Sequence, residues 1–271
     1  MNEPDAFKIK RNIFIFVIGV SIFSISGGLL LSSGNELGGL VFILGPILFA
    51  VMLRFFGGDG WRNAGLKLNL KKNILWYIVS AAAYPLTFLI VIFSGIGMGM
   101  TSLEVPYENL TGLFLMGCLA QFAPKMIFSL FEEIGWRGYL EPQLERIIAS
   151  SFIRHFLTGI VWALWHYPLI LSTEYTNIPM QIFLPLFTAG IVISAFVYGQ
   201  IRKFTQSVWP AVIMHGVANT VAFSIIDNQL FSFDNKILFY ISPESATTIG
   251  LWILLSFLLF QYGKKRTNGS V

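Results

Sequence analysis

Eight apolar runs, each close to the length that crosses a bilayer, constrain this chain more than any other feature. They lie at roughly 13–31, 40–56, 74–96, 113–131, 152–171, 182–201, 208–226 and 247–262. About 20 mostly apolar residues are needed to span the hydrocarbon, and a spanning segment must satisfy its own backbone, as a helix does. The expectation is an all-α polytopic membrane protein with about eight transmembrane helices. Composition agrees: 55% of residues are hydrophobic and 12% charged, against about a quarter charged in soluble domains. No repeat at solenoid period, low-complexity run or linker divides the chain. Residues 1–271 therefore read as a single transmembrane helical domain, whose polar features gather in a core at about 113–226.

The charges between the runs alternate. Basic residues fall at Lys8, Lys10 and Arg11; at Arg54, Arg62, Lys67, Lys71 and Lys72; at Arg137, Arg146 and Arg154; at Arg202 and Lys203; and at Lys264, Lys265 and Arg266. The other connections hold Glu36, Glu104, Glu108, Glu174, Asp234 and Glu244, with Lys236 their one basic residue. By the positive-inside rule this puts both termini in the cytoplasm, of an integral membrane protein that in a bacterium would sit in the cell membrane. The lipid bilayer is its first partner. The net charge of +4 is dispersed and forms no basic stripe with interleaved aromatics, so nucleic acid is not expected as a partner. The first run is too long for a signal-peptide core and no A-x-A-like site follows it, so it reads as a retained span. A lone cysteine, Cys118, allows neither an intramolecular disulfide nor a cysteine zinc cluster. The connection at 57–73 reads as a solvated connector bearing topology charges. At 140–148, Leu140, Leu144, Ile147 and Ile148 recur at helical spacing opposite Glu141, Glu145 and Arg146, which suggests a short amphipathic helix at the interface.

Against this background the polar residues at the ends and middles of the runs stand out, because charge in a span is costly and usually functional. Glu132, Glu133 and Arg137 close the fourth run, which places them at its cytoplasmic end. Glu133 and Arg137 are four apart with the acid on the N-terminal side, the better orientation for a helical ion pair. Glu132 points about 100° away and is left free for chemistry. His166 lies in the fifth run beside Pro168, which cannot donate to the carbonyl of Leu164. His215 and Asn219 share one face of the seventh. Intramembrane ionisable groups face the bundle interior and pair there, so these six residues are expected to converge. Lys125, seven residues before Glu132, reads as snorkelling, and His155, beside Arg154 at a span start, as interfacial.

Glu-Glu-x-x-x-Arg (Glu132, Glu133, Arg137), aromatic-x-x-x-His (Trp162, His166) and His-x-x-x-Asn (His215, Asn219), in that order and in separate spans, resemble the CAAX prenyl protease and bacteriocin-processing family of intramembrane proteases. Trp162 departs from the family's usual phenylalanine. The resemblance implies a conical intramembrane cavity open toward the cytoplasm and hydrolysis of a peptide bond in a membrane-associated peptide or protein near that face. Carried over, Glu132 is the general base, His166 helps hold the water, His215 and Asn219 stabilise the oxyanion, and Glu133 with Arg137 is a structural pair. Glu132, His166 and His215 would also make a three-ligand zinc site with an open position, although no His-Glu-x-x-His is present. Metal and metal-free glutamate mechanisms both remain open at this level. A second function class is a non-catalytic bacteriocin self-immunity protein or membrane scaffold of the same fold. A secondary transporter ranks last, since no matched pair of broken helices is visible.

Overall fold

Each apolar run becomes a helix, in most cases longer than the run. The computed structural model describes residues 3–268, with side chains from 5 to 265; Arg266, counted in the charge pattern, falls outside the latter. The long helices are α1 (Glu3–Ser32), α2 (Leu37–Phe55), α3 (Leu70–Gly97), α4 (Tyr107–Gly135), α6 (Ser151–Ser172), α7 (Met180–Thr205), α8 (Trp209–Asp227) and α9 (Ala246–Asn268). Seven of them are long and apolar enough to cross a membrane; α6, which carries the polar rings of Trp162, Trp165, His166 and Tyr167, is the exception. The molecule is an integral membrane protein.

The helices close a ring. α1 packs on α2 and α6, α2 on α4, α4 on α8, α8 on α3, and α7 links α6 to α9. Small residues set these approaches, as is usual where van der Waals fit rather than apolar burial holds spans together. Gly135 lets α4 meet α2, since a Cβ there would lie 2.5 Å from Pro46 Cβ. Gly28 of α1 similarly abuts the carbonyl of Pro168 in α6, and Ser24 donates to the Trp165 carbonyl at 2.5 Å. On one side, β1 (Thr101–Leu103) pairs antiparallel with β2 (Phe231–Phe233), with Ser102 opposite Ser232.

Two expectations are corrected on the opposite side. There α4 is continued past Arg137 by a π turn, Trp136–Leu140, and then by α5 (Glu141–Glu145), with the Glu141 N–H bonded five residues back to the Trp136 carbonyl. The stretch 140–148 is therefore no interfacial helix, because Leu140, Glu141, Pro142, Gln143 and Leu144 are all buried. The connection 57–69, though exposed at Gly58, Arg62 and 66–69, is more than a solvated connector. Arg54 donates to the carbonyls of Gly60 and Gly138 and to Asn63, Arg202 to the carbonyls of Asn63 and Arg137, and Trp209 to that of Leu66. Asp59 accepts from Tyr139 at 2.7 Å and Asn12 at 3.0 Å. The loop lies over the π turn and ties α1, α2, α7 and α8 to it.

Candidate active site

Because the helix runs on to Glu145, Glu132 and Glu133 stand inside the protein rather than at its edge. Glu133 and Arg137 are both 0% exposed. Arg137 Nη1 donates to Glu133 Oε1 at 3.2 Å and lies 3.2 Å from Oε2, the pair that their spacing predicts. The guanidinium lies between two rings, 4.4 Å from the centroid of Trp162 and 4.7 Å from that of Tyr198, a cation–π arrangement that strengthens away from water. Its carbonyl accepts from Arg202 at 3.3 Å and the next carbonyl, of Gly138, from Arg54. Two basic residues that read as topology charges thus fix the π turn.

Glu132 is not the free carboxylate that the helical wheel suggests. Its Oε2 accepts from the Trp162 indole at 2.7 Å and faces the Trp136 indole at 3.5 Å. Its Oε1 lies 3.8 Å from His215 Nε2. His215 Nδ1 gives its hydrogen to Glu133 Oε1 at 3.0 Å, which leaves Nε2 turned to Glu132. Two carboxylates, a guanidinium and an imidazole therefore meet where α4 crosses α8.

His166 is half-buried past the middle of α6, nearer the end that the charge pattern puts outside than its expected depth implies. It sits among Trp165, Phe187 and Phe42, at 4.7, 5.3 and 5.9 Å between ring centroids. Its Nδ1 donates to the Trp162 carbonyl at 2.9 Å, so that in the neutral ring Nε2 is an acceptor. Asn219 is half-buried one turn beyond His215 and makes no side-chain hydrogen bond among the described residues. Five of the six predicted residues are thus joined directly or through Trp162, and Asn219 is placed beside them by helix spacing alone. Among the described residues no three His, Cys, Asp or Glu side chains are grouped to hold a metal ion.

Other expectations change. His155 is fully buried and bonded to Glu141 Oε1 at 2.8 Å, tucked under Gly199 where any Cβ would collide with the ring. Lys125 does not snorkel: its Nζ lies 3.2 Å from the Phe223 ring centroid on α8. A groove of about 630 Å³ between α6 and α7, lined by Phe156, Tyr167, Leu184 and Thr188, stands apart from the cluster. Spacing alone missed the two indoles. Trp136 is four residues after Glu132, a signal that was present, whereas the Trp162 contact joins two helices and had none.

Fold and site together define a polytopic membrane protein with a buried Glu–Glu–Arg–His cluster at the crossing of two spans. Residues 122–221 match the family described as type II CAAX prenyl endopeptidase Rce1-like. The similarity to that family is carried by this segment, which holds the Glu-Glu-x-x-x-Arg, aromatic-x-x-x-His and His-x-x-x-Asn residues. A Methanococcus maripaludis protein described as CAAX prenyl protease 2 is 34% identical over 103 residues, which cover 35% of this chain and 36% of that protein. The match thus spans about a third of the curated relative's length.

Proposed function

We propose that the protein is an intramembrane endopeptidase that hydrolyses a peptide bond of a membrane-associated peptide or protein near the cytoplasmic face, with both termini on that side. The observation that carries this reading is Glu132: a carboxylate 5% exposed, with no arginine or lysine paired to it among the described residues, one oxygen held by indoles and the other turned to His215. Such a group in a span is otherwise costly, and the family match gives it a use.

In this reading Glu132 Oε1 takes a proton from water as the oxygen attacks the scissile carbonyl, and returns it to the leaving amine. His166 Nε2 accepts the water's second hydrogen and orients it. Asn219 donates its amide hydrogen to the oxyanion. His215 Nε2 donates as well, and since Nδ1 already serves Glu133, this role requires the doubly protonated ring. Glu133 and Arg137 keep that imidazole in place.

The test is cleavage of fluorogenic membrane-associated peptides by the purified protein in lipid, before and after chelation and zinc restoration. Glu132→Ala should lower the rate by about 10²–10⁴-fold, the range for a general base, and His215→Ala should also abolish measurable turnover. Full cleavage by Glu132→Ala would remove the proposed base.

A further inference from the structure

One residue, Trp162, touches four members of the cluster. The Trp162 indole N–H bonds Glu132 at 2.7 Å and its ring face carries the Arg137 guanidinium at 4.4 Å. Its ring edge meets His215 at 5.5 Å, and its carbonyl accepts from His166 at 2.9 Å. It is 3% exposed. A phenylalanine, the usual family residue here, could supply the ring and the carbonyl but not the N–H.

We infer that Trp162 is a positioning residue for hydrolysis, whose indole N–H selects the reacting oxygen of Glu132. This rests on the proposed proteolytic reading. A carboxylate has two equivalent oxygens and a torsion that exchanges them. Here Oε2 accepts the short bond from Trp162, with Trp136 Nε1 at 3.5 Å behind it. An oxygen engaged by N–H donors is the weaker proton acceptor, and the torsion cannot turn without breaking a charge-assisted bond. Oε1, facing His215 at 3.8 Å, is left as the basic oxygen. The same indole rests on Arg137, so the base and the Glu133–Arg137 anchor are held in one register by a single rigid side chain. Loss of the N–H frees the carboxylate to rotate while the aromatic contacts persist.

The experiment uses the full-length protein in lipid. Trp162→Phe should lower kcat roughly ten- to a hundredfold with KM little changed, the scale of one hydrogen bond to a charged group. In parallel, ¹⁵N-tryptophan labelling gives indole N–H resonances, among which Trp162 is identified by its loss in Trp162→Phe and by elimination through single Trp→Phe variants at the other six tryptophans. That proton should lie downfield in wild type and move upfield in Glu132→Ala, a variant that retains the tryptophan and reports on the contact even if Trp162→Phe does not fold. Unchanged kcat in a folded Trp162→Phe, an effect confined to KM, or a resonance indifferent to Glu132→Ala would each overturn the inference. Wild type that cleaves nothing while the resonance still responds to Glu132→Ala would remove the proteolytic reading, and the reacting-oxygen role with it, and leave the indole–carboxylate contact established.

Discussion

In its first two-thirds α4 turns Leu115, Met116, Leu119 and Phe122 outward, with Leu119 81% exposed, and packs on α8 along one narrow face. From Ser129 onward the same continuous helix is enclosed, with Trp136, Arg137 and Tyr139 all at 0%. The first part is the more apolar and the second carries four acids and an arginine, the reverse of the order found in water. Lipid accepts apolar side chains without penalty, whereas a charge at this depth needs partners that only protein supplies. Hydropathy along such a chain therefore marks what the bilayer tolerates, and the dips in hydropathy mark what the bundle encloses.

The sharpest way to break this comparison is to remove a partner from the enclosed half. Arg137→Ala leaves Glu133 buried without its cation and should cost about 3–5 kcal/mol, read as reversible unfolding in mixed micelles. The double change Glu133→Gln with Arg137→Met should recover much of that loss, because no charge is then stranded. Next in size is the contrast between two leucines. Leu144→Ala should cost about 2–5 kcal/mol, while Leu119→Ala should stay within about 0.5 kcal/mol. Equal losses would mean that the exposed half of α4 is covered by something other than lipid.

The smallest effect extends the comparison to the opposite side of the protein. Glu244, in the connection before α9, is 5% exposed and pairs with no cation among the described residues. Burial raises its pKa above the ordinary carboxylate value, and the Ser242 hydroxyl offsets this in part. The folded connection then binds a proton that the unfolded chain has lost, so its stability should fall as pH rises from about 4.5 through the folded value. Hydrogen exchange across 228–245 should speed up over that window, and Glu244→Gln should flatten the response. A flat response in wild type would mean that the carboxylate has a partner after all.

Much of the architecture was legible because its cause is local. Length and apolarity make a helix of each run in lipid, whatever its neighbours, and all eight runs became helices. The Glu133–Arg137 pair was legible for the same reason, since four residues are one turn. The roles of the basic residues were not. Arg54, Arg154 and Arg202 all read as topology charges, yet each is nearly buried and bonded inside, because a side-chain count cannot tell water from a neighbouring carbonyl.

The sequence by itself determined the membrane class, the eight helices, the order of the motifs and the one ion pair within a single turn. All of these depend on contacts within a few residues or on transfer into lipid. Only the tertiary structure decided that α4 continues through a π turn, that the 57–69 loop folds over it, and that the Trp162 indole, thirty residues from Glu132, holds its carboxylate. Those features depend on where one helix crosses another, and the crossings are set by the fit of Gly135, Gly28 and their partners rather than by any periodicity along the chain.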